Sequence, residues 1–277
     1  MDSEDLQQCM EYVSSSGLTL SPEEAAALRV SLRETGSLMR LSGVRLWGRV
    51  VALGGRDYLV ADGVRDGADE LTGRTTLYSL DGLKWQLLVQ SAEVPDLRAR
   101  FQGDPSYAHK LEPEQGGQQS NGEAHVTDEE ATVQVKEEDR LAATITAIEH
   151  EAAVVPRGAF MRTPLGRVQR NPTFQGLSLE EAGKLRSYLH WRRPERLPKL
   201  SLLERAELDP ALDFLDPIEH DVPAGCWSLQ LERGGALVIL RSLLWPGLTF
   251  YHVPGTSRHG YIYMGLGEKN IDLPFMI

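Results

Sequence analysis

The stretch that most constrains this chain covers residues 226–277, where strand-like segments alternate with turn dipeptides. Trp227, Leu229 and Leu231 alternate with Ser228, Gln230 and Glu232, the period-two pattern of a strand with one buried face. Gly234-Gly235 follows, and glycine adopts the positive φ angles of a tight hairpin turn without strain. Residues 236–240 are apolar throughout, as expected of a strand covered on both faces. Pro246-Gly247 breaks the run, residues 248–253 resume it with aromatics, and Pro254-Gly255 breaks it again before Tyr261-Ile-Tyr-Met264. Short strands separated in this way predict an antiparallel meander.

Upstream, residues 4–16 read as a short helix with Leu6, Met10 and Val13 on one face and Gly17 placed to end it. Ser21-Pro22-Glu23-Glu24 is a stronger start signal: Ser21 caps, Pro22 suits the first helical position and Glu24 completes a capping box. That helix is expected to stop near Gly36, and the pair to lie as a lid on the sheet that follows. Residues 44–88 read as two hairpins forming a four-stranded antiparallel sheet. The turns fall at Gly54-Gly55 and Asp81-Gly82, and residues 62–73 are a polar loop between the hairpins.

A short helix is expected over residues 94–101 and a Gly103-Asp-Pro-Ser-Tyr107 turn after it. Residues 110–130 nearly lack large apolar groups, which predicts a mobile loop, although strands on either side of it can still share one sheet. Residues 132–135 suggest a strand, and residues 137–148 a helix with Leu141, Ile145 and Ile148 on one face. Residues 152–155 read as a buried strand, and Ser178-Leu-Glu-Glu181 opens a helix expected to reach about Trp191. A short helix at residues 200–208 and turns bearing Leu212, Phe214 and Leu215 complete the middle of the chain. The fold class is therefore α+β: antiparallel β-meanders with short flanking helices and long irregular loops. The expected divisions are a helical pair (1–40), an antiparallel β region (41–109), an acidic flexible loop (110–130) and a C-terminal α+β region (131–277). The second and last of these are compatible with one continuous domain.

The net charge of −11 argues against a nucleic-acid or anionic-membrane partner. No apolar run approaches the roughly 20 residues that span a bilayer. The two cysteines, Cys9 and Cys226, form no disulfide framework or metal-ligand spacing, which suits a reduced cytoplasmic setting. Arginines concentrate between residues 157 and 196, where pairing with the chain's own carboxylates, or with an acidic protein, is favoured over nucleic acid. His220, Cys226, His252 and His259 match no zinc pattern. An enzyme with a site around His220, Cys226 and His252 stands as the alternative functional reading, although nothing in the sequence orients a third catalytic group. No cofactor motif is found.

The string Arg241-Ser-Leu-Leu-Trp-Pro-Gly-Leu-Thr-Phe-Tyr-His252 carries a resemblance, supported by Gly260-Tyr-Ile-Tyr263, Gly267-Glu-Lys-Asn270 and Asp272-Leu-Pro-Phe275. With Trp47-Gly48-Arg49, Thr76-Leu-Tyr-Ser-Leu80, Pro156-Arg-Gly158 and Gly176-Leu-Ser-Leu179 in the same order, it resembles the radial spoke head proteins of motile cilia and flagella. The resemblance implies a non-enzymatic structural component of the axonemal cytoskeleton. It implies related spoke head subunits as partners, transient contact with central-pair projections, and mechanical signalling to the dynein arms. Trp245, Phe250, Tyr251, Tyr261 and Tyr263 are then the candidate partner-interface residues, bridging the chain's own sheet and a neighbouring subunit.

Overall fold

The computed structural model describes residues 1–17, 19–51, 57–88 and 137–276. In chain order its elements are α1 (Leu6–Val13), α2 (Pro22–Met39), β1 (Leu41–Val50), β2 (Tyr58–Arg65), β3 (Arg74–Ser79) and β4 (Gln86–Leu87). Then come α3 (Glu137–Ala152), β5 (Val154–Pro156), β6 (Phe160–Arg162), β7 (Val168–Arg170), α4 (Leu179–Ala182), β8 (Tyr188–His190) and α5 (Leu202–Ala206). The last four strands are β9 (Trp227–Glu232), β10 (Leu237–Ser242), β11 (Leu248–His252) and β12 (His259–Gly265). The fold is α+β.

Two meanders, β1 to β4 and β9 to β12, merge into one eight-stranded sheet of order β4-β3-β2-β1-β12-β11-β10-β9. Every pairing in it is antiparallel except the central one, where β1 runs parallel to β12 and Gly48, Arg49 and Val50 face Tyr263, Met264 and Gly265. The pairing of β1 with β2 shifts register between Leu46 and Gly48. Leu46 and Trp47, adjacent in sequence, are buried on opposite faces as strand alternation dictates, and the bulge then shifts the phase so that Val50 joins Trp47 in one core.

Parity distributes the apolar side chains over both faces. Leu237, Ile239, Tyr251, Ile262 and Met264 meet α1 and α2 through Leu6, Met10, Val13, Leu28 and Leu32. Val238, Leu240, Phe250 and Tyr263 point the other way and meet α3 through Leu141, Ile145 and Ile148. A third, smaller core gathers Phe160, Val168, Leu189, Trp191, Phe214 and Leu215 around the two-stranded pairs β5–β8 and β6–β7. The apolar run at residues 237–240 is thus buried on both faces, as its composition predicts. On the edge strand β9 only Trp227 is buried, while Leu231 is exposed.

The N-terminal signals fold as read. Gly17 ends the first helical stretch at φ 83°, and the Ser21–Glu24 capping box is complete, with reciprocal hydrogen bonds of 3.1 and 2.9 Å. The second helix, however, passes through Gly36 to Met39. Gly36 is buried against Val44, where a Cβ would press on the valine methyl at 2.8 Å, so its role is close packing rather than termination. The polar stretch 62–73 is also revised, because β2 continues through Asp62 and Gly63 to Arg65. The capping signal at Ser178 is real, but α4 ends at Ala182 and the chain enters β8 at Tyr188, whose hydroxyl bonds the Ala182 carbonyl at 2.8 Å. The turn expected at Gly54-Gly55, the helix at 94–101, the 103–107 turn, the 110–130 loop and the strand at 132–135 lie outside the described residues.

Candidate functional site

The signature aromatics turn inward. Trp245, Phe250 and Tyr263 are fully buried and Tyr251 is nearly so, whereas Tyr261 is half-buried. Trp245 donates its indole N–H to Glu151 of α3 at 2.8 Å, and Lys269 holds the other carboxylate oxygen at 2.7 Å. Tyr263 packs its ring 5.3 Å from Trp47 and accepts the Gly267 amide at 2.8 Å. Tyr251 donates to the Cys9 thiol at 2.9 Å, tying α1 to β11. The first four rings are thus part of the chain's own core.

Tyr261 belongs to a polar cluster beside the parallel seam. Its hydroxyl accepts from Arg74 at 2.8 Å, and Arg74 also reaches Asp62 at 2.8 Å and Glu149 at 3.1 Å. Arg45 donates to the same Asp62 oxygen at 2.8 Å. Burial alone would raise the Asp62 pKa, but Arg45 and Arg74 outweigh it and hold the carboxyl well below its usual range. Glu149 shifts upward, because burial outweighs the pull of Arg74. Two arginines and two carboxylates thus bind β1, β2, β3 and α3 together at mid-sheet. Composition marked these residues only as charged; no local spacing links them.

Next to the cluster lies a cleft of about 440 Å³ between the start of α1, the β1–β12 seam and the β6–β7 hairpin. Phe160, Trp191, Phe174 and His259 line it, with Phe160 and Trp191 tilted at 35° and 4.1 Å apart between ring centres.

The residues of the catalytic alternative do not come together. His220 is exposed in a short turn, and Cys226 is buried, its thiol pushed up to about 11 by burial with Asp221 adding to the effect. His252 is buried in β11, accepting the Leu177 amide at Nε2 (3.2 Å) and facing the Arg258 carbonyl with Nδ1 (3.2 Å). No hydrogen bond joins any two of the three among the described residues. No group of three or more His, Cys, Asp or Glu side chains suited to a metal ion occurs among the described residues. Of the clustered arginines, Arg157 pairs with Asp213, Arg186 with Glu181 and Arg192 with Glu195, while Arg167 donates to the Gly67 carbonyl. Internal pairing therefore absorbs much of the cluster. No helix among the described residues is long and apolar enough to cross a membrane.

The chain is 50% identical to the radial spoke head protein 9 homolog of Bos taurus, with the whole of both chains covered. It is 48% identical to the homolog of Homo sapiens and 47% to that of Mus musculus, again end to end. The chain belongs to the radial spoke head protein 9 family. No protein-family model matches it. Within this family member, the string 241–252 that carries the resemblance forms the last two residues of β10, the turn at Trp245-Pro-Gly247 and all of β11. The signature thus marks the middle of the C-terminal meander, next to the seam strand.

Proposed function

We propose that this chain is a non-enzymatic subunit of the radial spoke head in the axoneme of a motile cilium or flagellum. In this reading it assembles with related spoke head proteins, meets central-pair projections transiently and passes mechanical signals towards the dynein arms. The observation that carries the reading is the end-to-end likeness to relatives of that name, at 50% identity for the first. The architecture suits a load-bearing part, because both ends of the chain enter one sheet and force on either meander crosses the hydrogen-bonded seam. The signature rings serve assembly by keeping this sheet rigid, and Tyr261 alone of the five retains exposed surface. The charge of −11 suits brief contact with an acidic neighbour, since like charges oppose close approach. Such contact strengthens as salt rises; a steady weakening would dismiss that part of the reading.

The test is complementation. The tagged full chain is expressed in multiciliated vertebrate cells deleted for their own radial spoke head protein 9. The expected result is tag along the axoneme, co-purification with spoke head subunits and recovery of normal beating. A well-expressed chain that stays out of the axoneme, or enters it without spoke subunits, overturns the proposal. Removing residues 226–277 is a poor alternative, because it takes away half of the large sheet and the seam strand with it.

A further inference from the structure

The cleft between α1, the seam and the β6–β7 hairpin is built for more than packing. One side is aromatic: Phe160 and Trp191 are buried and in contact at a tilt of 35°, and Phe174 and His259 meet edge-on at 6.1 Å between ring centres. Two exposed cations stand on its rim. Arg258 has no carboxylate within ion-pair distance among the described residues and touches only the Tyr12 hydroxyl, at 3.3 Å. Arg170 reaches Glu70 only at 3.9 Å and is half-exposed. Two buried donors of the lining, the Trp191 indole N–H and the Arg45 Nε–H, meet no acceptor in the protein. Buried donors are nearly always satisfied, so this wall is short of acceptors, not of donors. The cleft's one buried carboxylate, Asp62, is already held by Arg45 and Arg74.

We propose that this cleft binds a small aromatic monocarboxylate, its ring against Phe160, Phe174 and Trp191 and its carboxylate at Arg170 and Arg258. Size fits: about 440 Å³ lies within the range of small-molecule sites, roughly 300–1,000 Å³. Guanidinium groups grip carboxylates through charge-assisted hydrogen bonds, and an aromatic wall favours a flat apolar body. Asp2 and Asp5 line the α1 side and repel further negative charge, so a single carboxylate is preferred over a phosphate or a dicarboxylate. The inference is separate from spoke assembly, and its test uses the isolated chain.

The full chain, with ¹⁵N-labelled tryptophan, is titrated with indole-3-acetate and, in parallel, with the uncharged indole-3-acetamide. The Trp191 indole signal is assigned from its absence in Trp191→Phe, and affinity is measured independently by calorimetry should that variant not fold. The expected result is a saturable shift of the Trp191 signal by the acid. The amide binds about tenfold more weakly or worse, as does the acid to the Arg170→Gln/Arg258→Gln double variant, whose changes lie at the surface. No saturable binding of the acid up to about 10 mM, equal binding of acid and amide, or undiminished binding by the double variant each overturns the proposal.

Discussion

Gly48 of β1 lies against Tyr263 of β12 across the parallel seam, so closely that a Cβ on Gly48 would run into the Tyr263 carbonyl. The contact is backbone to backbone, and no rotamer change relieves it. Gly48 also has φ 153°, a conformation that side chains resist. Gly48→Ala is therefore expected to lower stability by about 3 kcal/mol or more, since close contact and strain add. Gly67→Ala, at φ 76° in a loop with open space around it, is expected to lose only about 1–2 kcal/mol. Urea denaturation of the two variants checks the difference; equal losses would mean that the seam is not closely packed.

The second prediction concerns the buried ion cluster. Asp62→Asn leaves Arg45 and Arg74 facing one another with Glu149 as the remaining carboxylate. Breaking a buried pair from one side typically costs about 3–5 kcal/mol. The same loss is expected here, with the midpoint of denaturation reduced and its slope unchanged. A loss under about 1 kcal/mol would show that water reaches the arginines, as at a surface pair.

These two sites also show what was legible in the sequence. The C-terminal meander could be read because its punctuation is local: Gly234, Gly235, Gly247 and Gly255 all adopt positive φ at the expected turns. The Ser21 capping box was legible for the same reason, and at Ser178 only the half in which the hydroxyl accepts the Glu181 amide is formed. The parallel seam was not, because no local pattern states that β1 will find β12 rather than end the sheet. The extension of β2 was missed because Asp62-Gly63 reads as a turn; only Arg74 of β3 and Arg45 of β1, from the two strands flanking β2, make a buried aspartate tolerable. The helix expected to reach Trp191 failed likewise, since Tyr188 is drawn into β8 against Pro156 by tertiary pairing. As for the candidate interface, ring density marked where the large side chains gather. Density alone does not separate core from surface, and here the core took four of the five rings.

A third prediction follows from that placement. Trp245→Ala removes a fully buried indole and its bond to Glu151, so a loss of about 3–5 kcal/mol is expected. Trp245→Phe keeps most of the apolar volume and drops the donor, so about 1–3 kcal/mol is expected. In pull-downs of spoke head subunits, the phenylalanine variant should bind as well as the parent at temperatures where it stays folded. Loss of binding without loss of folding would place Trp245 at a partner surface.

The last prediction is a pH dependence. His252 is fully buried, and burial lowers its pKa from 6.5 to about 4, with the nearby Arg258 carbonyl acting weakly in the opposite direction. Between these values the unfolded chain takes up a proton that folded His252 refuses. Stability from this residue is complete above pH 6.5, falls as the pH drops towards 4, and changes no further below that. The loss over the window is roughly 3 kcal/mol, from about 1.4 kcal/mol per pKa unit. Glu149, with its raised pKa, works in the opposite sense at the acidic end, so the residue's own share must be isolated by comparison. His252→Gln is less stable at neutral pH, because the Leu177 amide loses its ring acceptor, yet its stability should decline less steeply from pH 6.5 to 4. Urea midpoints taken every half unit give both slopes. Parallel slopes for parent and variant would mean that His252 takes up its proton within the folded sheet, and that the region around Leu177 and Arg258 opens to admit it.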